Sequence, residues 1–128
     1  MWVNRYLAAR YEDGARGPDR FDCWGLVRDA RHALGFRLLP SWGHVRNTQP
    51  AEFTAACNRE AQAMELCEPE HGAIAAVFRG RCCIHVALVA EIDGTLRALD
   101  INPAKGARLQ GLPDFERQYF TVRYYRDR

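Results

Sequence analysis

Cys82-Cys83-Ile84-His85-Val86-Ala87-Leu88-Val89-Ala90-Glu91-Ile92, then Asp93-Gly94, then Thr95-Leu96-Arg97-Ala98-Leu99-Asp100-Ile101-Asn102, is the stretch that decides the fold. A long apolar run with several β-branched residues stops at Asp-Gly, a pair that tolerates the positive φ angles of a tight hairpin turn, and a second alternating run follows. Alternate residues of a strand share a face. Cys83, His85, Ala87 and Val89 therefore fall on one side of the first strand, and Ile84, Val86, Leu88 and Ala90 on the other. On the returning strand Leu96, Ala98, Asp100 and Asn102 share a face, so one of Asp100 and Asn102 can reach His85 across the pair. His85 is left among small residues, with room for a helix terminus or a substrate to approach the imidazole.

Outward from this hairpin the pattern stays two-fold on the C-terminal side and becomes helical towards the N-terminus. Ile74–Phe78 reads as a strand and Arg79-Gly80-Arg81 as the turn into Cys82. Pro103 to Gly106 turns the chain, Ala107-Arg108-Leu109 reads as a short strand, and Phe115–Tyr125 as the last one. Residues 2–10 read as a helix, Tyr11 to Arg20 as a Gly/Asp/Pro-rich loop, and about Cys23 to Leu34 as a helix. In that helix Cys23, Leu26, Val27, Ala30 and Leu34 form the buried stripe, Arg28, Asp29, Arg31 and His32 the wet side, and Gly35 the stop. Asp19 or Asp22 is the expected cap. Phe36 to Asn47 reads as an irregular connection, and Pro50 to Met64 as a further helix with Pro50 in its first turn. Helices first and an antiparallel meander second define an α+β arrangement, with residues 1–128 as a single domain.

Composition narrows the function classes. At 48% hydrophobic and 27% charged residues the chain is ordinary for a globular domain. A net charge of +2, with Lys and Arg scattered, argues against nucleic acid as a partner. No run approaches the ~18 apolar residues of a membrane span, so no membrane insertion is expected. Met1-Trp2-Val3-Asn4-Arg5-Tyr6 lacks the build of a signal peptide, which places synthesis in the cytoplasm. The five cysteines form no CxxC pair and no regular framework, so neither a structural zinc site nor disulfides are expected, and no metal or cofactor is called for.

Two residues then carry the chemistry. Cys23 opens a helix, where backbone N–H groups and the helix dipole favour a thiolate. His85 is a candidate base, and Asp100 or Asn102 its orienter. Together they make a nucleophile–base–orienter set in the order Cys…His…Asp/Asn of papain-like enzymes. Trp24, next to the nucleophile, is either core or a wall of the cleft. Arg16 and Arg20 flank Cys23 and read as surface arginines, and Cys57, Cys67, Cys82 and Cys83 as packing residues.

These segments resemble the NlpC/P60 cysteine peptidases, and more closely the variety encoded among phage tail genes. Gly17-Pro18-Asp19-Arg20-Phe21-Asp22-Cys23-Trp24-Gly25-Leu26-Val27-Arg28 looks like the family's nucleophile motif, with Trp24 where many members have Ser. His85-Val86-Ala87-Leu88-Val89 looks like its histidine strand. Tyr11, Leu38-Leu39-Pro40 and the closing Arg123-Tyr124-Tyr125-Arg126 also match. The chain departs from the family pattern at the third polar residue, usually His, and at Gly72-Ala73, where Gly-Asp is usual. Counting from Gly94 as the family does puts Asp100 at the third position, whereas a two-residue turn sets His85 opposite Asn102. Asp100 is favoured, on the supposition that the loop is not the tight one.

The resemblance implies a papain-like fold with N-terminal helices packed on the meander. It also implies a cysteine endopeptidase or amidase that cleaves peptidoglycan stem-peptide amides through an acyl-enzyme. Tyr11 is implied as an active-site residue and second oxyanion donor beside the Cys23 N–H. The implied setting is a phage or prophage tail tip, with other tail proteins as partners and the virion as destination. The alternatives are a tail-assembly or binding module of the same fold with little turnover, and an amidase or acyltransferase with another substrate.

Overall fold

In the computed structural model, which covers residues 1–128, the hairpin turns tightly. Asp93 and Gly94 have φ of +53° and +79°, the two left-handed positions such a turn needs. From it, strands β5 (Cys82–Ile92) and β6 (Thr95–Asn102) pair from Ile92↔Thr95 to Leu88↔Leu99. The remaining elements are α1 (Val3–Leu7), β1 (Arg10–Tyr11), β2 (Arg20–Phe21), α2 (Cys23–Ala33), α3 (Pro50–Gln62), β3 (Met64–Cys67), β4 (Ile74–Arg79), β7 (Gly106–Gly111), α4 (Leu112–Glu116) and β8 (Thr121–Asp127). The architecture is α+β, with four helices and a six-stranded antiparallel sheet in the order β3-β8-β4-β5-β6-β7.

The expected meander holds only for β4 to β7. The last strand lies between β3 and β4, pairing Met64↔Asp127 on one side and Ile74↔Tyr125 on the other. It also begins at Thr121, because Pro113 and Asp114 sit in the first turn of a short helix, α4, where a fixed φ and an acidic side chain favour helix over strand. Met64, expected on a helix, opens the unanticipated strand β3. The first helix stops at Leu7, and Arg10 and Tyr11 instead pair in parallel with Arg20 and Phe21. That pairing pins both ends of the Gly-rich loop.

Each face of the sheet has its own apolar cluster. Helices α1 to α3 cover the first through Tyr6, Leu26, Val27, Ala30 and Phe53, against Val86, Leu88, Leu99 and Ile101. The short α4 covers the second through Leu112 and Phe115, against Val77, Ala87, Val89 and Ala98. A β-bulge corrects the expected grouping of Cys83 with His85. Val77 pairs with His85 but Phe78 with Cys83, so Ile84 is an extra residue. Beyond it the alternation flips. Cys83 joins Val86 and Leu88 on the helix-covered face, and His85 stays with Ala87 and Val89 on the other.

Of two arginines expected in solvent, Arg31 is interior and Arg16 is half-buried. Arg31 is 1% exposed: its Nε donates to the Gly72 carbonyl at 2.8 Å, it pairs with Asp127 at 2.9 Å, and it lies against the Phe36 ring. Its partners come from distant segments, so helical spacing alone places it wrongly. Arg16 pairs with the buried Asp22 at 2.7 Å and donates to the carbonyls of Ser41, Trp42 and Val45. Asp22 is the helix cap, accepting from the Gly25 N–H at 2.8 Å. The loop crosses this helix start so closely that a Cβ on Gly25 would lie 2.3 Å from the Ala15 carbonyl oxygen. Gly25→Ala forces two backbones apart and is expected to lower stability by about 1–3 kcal/mol, the usual scale of overpacking. Urea unfolding of the two proteins measures it, and an unchanged midpoint would contradict the packing.

Candidate active site

Strands β5 and β6 are paired only near their turn. Short of Leu88, β5 pairs with β4 alone, and beyond Leu99, β6 pairs with β7 alone. Helix α2 packs across both strands, and its first residue lies at β5 just there, where the Val86 N–H points at the Cys23 sulfur. Cys23 is thus held by the Asp22 cap, by Gly25 under the Ala15 carbonyl, and by the β5 backbone.

His85 and Asp100 lie on the α4 side of the sheet. The imidazole Nε2 is 2.8 Å from Asp100 Oδ2, and both side chains are buried. With Nε2–H donating to the carboxylate, Nδ1 of the neutral ring carries the lone pair, and it makes no hydrogen bond. Asn102 is elsewhere engaged: its Oδ1 accepts from the Lys105 N–H at 2.7 Å and closes the β6–β7 turn. The turn is the tight one, and its register extrapolates to His85 opposite Asn102, yet the imidazole bonds Asp100. Of the two candidates the imidazole bonds Asp100, although the turn is not the looser one on which that preference was based. The strands diverge before this point, and the side chains meet along the diagonal that long side chains span.

The small-residue face of β5 was expected to receive a helix terminus, but α2 packs on the aliphatic face and α4 faces His85. The cysteine and the imidazole therefore approach the parted strands from opposite sides of the sheet, and no hydrogen bond joins them. Both phenols nearby sense the cysteine. Tyr11 is pushed up to about 12, by burial first and then by the charges of Asp13, Cys23 and Asp22. Tyr119 is raised by burial, then by Asp100 and more weakly by Cys23, with Arg108 opposing. Tyr119 also tilts over the imidazole at 6.2 Å and packs edge-on against Phe115.

The Cys23 thiol is not depressed as a helix N-terminus alone would make it. The residue is 1% exposed, and burial pushes the thiol well above its ordinary value. The Asp22 carboxylate adds to the rise, while the Val86 and Trp24 N–H groups oppose it. Desolvation of the anion outweighs the dipole. All five cysteines are free. Cys83 belongs to the apolar cluster beside Cys23, with Cys57 packed against it, and its thiol donates to the His85 carbonyl at 3.8 Å. Trp24 is buried, its indole N–H donating to the Pro40 carbonyl at 2.9 Å, so it fixes the 36–47 connection. Arg20 is paired at the surface with Glu12.

The sequence reading missed Tyr119 and Arg108. Tyr119 falls in a segment that alternates like a strand, and nothing local marks it. Arg108 lies directly across from Asp100 on β7, a cross-strand pair of opposite charges that the hairpin count could have exposed. The chain matches no family model, and no curated protein sequence matches it.

Buried phenols fix the alkaline limit. Tyr6, through burial and then its hydrogen bond to Asp29, is held like Tyr11 at about 12 against an ordinary 10.0. The folded state keeps these protons more tightly than the unfolded chain. Their contribution to stability is therefore complete below about pH 10 and lost as pH rises towards about 12. Urea midpoints are expected to hold up to about pH 10 and then fall, in step with phenolate absorbance. A midpoint flat across that window contradicts the burial.

Proposed function

We propose that this protein is a cysteine peptidase or amidase of papain-like architecture, of the NlpC/P60 kind, acting on amide bonds of peptidoglycan stem peptides. The observation that carries the reading is the buried His85–Asp100 hydrogen bond. It orients the imidazole with Nδ1 unoccupied, beside the parted strands where the helix-opening cysteine lies. The stem peptide and a tail-tip setting rest on the resemblance of the Cys23 and His85 motifs alone.

The chemistry follows from these groups. Because burial favours the neutral thiol, the nucleophile forms by transfer of the Cys23 proton to His85 Nδ1 as substrate enters, with Asp100 stabilising the resulting imidazolium. The sulfur attacks the amide carbonyl carbon. The carbonyl oxygen, now anionic, is met by the Cys23 N–H, which has no helical acceptor, and by the Tyr11 hydroxyl. Collapse expels the amine, which takes the proton from His85 and leaves a thioester. His85 then accepts a proton from water as the water attacks the thioester, releasing the carboxylic acid and restoring the thiol. Cys23→Ala and His85→Ala are expected to abolish amine release from purified peptidoglycan fragments, whereas Asn102→Ala is expected to retain it. Mass spectrometry of the digests reads the result, and full activity in Cys23→Ala would sink the proposal.

The burial of Cys23 favours a second reading, a tail-assembly or binding module of this fold with little turnover. Alkylation separates the two. An enzyme whose cysteine becomes accessible reacts with iodoacetamide near neutral pH, and more slowly once His85 is removed. A module shows Cys23 inert until unfolding, with no dependence on His85.

A further inference from the structure

Asp100 is approached from two sides. Its Oδ2 lies 2.8 Å from His85 Nε2 and 3.2 Å from Arg108 Nη2, while its Oδ1, fully buried, has no hydrogen-bond partner. Arg108 is the direct partner of Asp100 across β6 and β7, and its side chain is 20% exposed where that of Asp100 is not exposed at all. One carboxylate oxygen thus serves both the imidazole and a permanent cation. A carboxylate facing only an imidazole would stabilise the imidazolium strongly in so dry a place. The guanidinium shares that charge and sits on the same side of the sheet as the ring.

We propose that Arg108 is a positioning residue for His85: it holds the Asp100 carboxylate with Oδ2 towards the ring, and by dividing that oxygen's charge it sets the pH at which the imidazole gives up its proton. The inference rests on the reading of His85 as the base. The titratable and charged groups facing the ring are Asp100 on β6, Tyr119 after α4 and, behind Asp100, Arg108 on β7. Of these Arg108 alone is cationic. Its removal leaves Asp100 unshared and moves the balance towards imidazolium. A base that stays protonated at neutral pH cannot take the thiol proton, so a cation near the orienting carboxylate keeps the histidine usable.

The test reads the ring itself. Imidazole resonances of the full-length protein are followed against pH in wild type, Arg108→Gln and Arg108→Lys, with His32, His44 and His71 as internal controls. The His85 midpoint is expected to rise by at least about half a unit in Arg108→Gln, the scale of removing one nearby charge, and to stay close to wild type in Arg108→Lys. The acidic limb of kcat/KM for amine release moves to higher pH in the same order. An unchanged midpoint in Arg108→Gln, or an equal rise in Arg108→Lys, overturns the proposal. Should Arg108→Gln fail to fold, Arg108→Met, which keeps the aliphatic stem, takes its place with the same outcomes. The readouts are separable: a midpoint shift in a protein inert on peptidoglycan removes only the peptidase reading, and turnover without a shift removes only this one.

Discussion

The Asp22–Arg16 ion pair is the interaction on which the rest of this site depends. Asp22 is buried, caps α2 and faces a guanidinium 2.7 Å away. A carboxylate this deep is tolerable only when its oxygens are answered, and here one bonds a helix N–H and the other a cation. Arg16 then reaches on to three carbonyls of the connection between α2 and α3. One junction thereby ties the loop before Cys23, the helix that carries it and the segment that flanks it. Removing Arg16 strands the Asp22 carboxylate without water, so the geometry of Cys23 is bound up with the stability of the fold.

Helix capping and desolvation pull in opposite directions at that cysteine. The helix start offers N–H groups to a thiolate, and the Val86 amide offers another. Yet the side chain is out of water, and its neighbour in sequence is a carboxylate. A thiol in such a place stays protonated at rest. On the other face of the sheet His85 has one nitrogen fixed by Asp100 and the other without a hydrogen bond, the arrangement on which the proposed proton transfer rests.

Much of this was legible in the sequence, and the misses have physical causes. The Asp-Gly turn, the two strands beside it, α2 and its Asp22 cap follow from local chemistry, because φ preference and capping act within a few residues. The pairing of His85 with Asp100 was readable as one of two choices, since a strand's faces alternate. The bulge at Ile84 was not readable: it arises from how β4 and β5 meet, and it puts Cys83 and His85 on opposite faces. Arg31 reads as a solvent residue until Gly72 and Asp127 arrive from far along the chain. Tyr119 and Arg108 enter the site only through tertiary placement, and the position of β8 has no local signal at all.

That last placement reaches beyond the finished structure. The strand furthest along the chain fills an interior slot of the sheet, hydrogen-bonded on both sides, and its Asp127 anchors Arg31 of α2. As a ribosome extends the chain, β4 through β7 can form early, but β4 presents a bare edge and β3 has nothing to pair with until the final strand emerges. Closing the sheet therefore requires contacts between segments far apart in the chain, the kind that slow folding most. During synthesis the unfilled slot is a strand-shaped vacancy, open to any extended segment that arrives before the proper one.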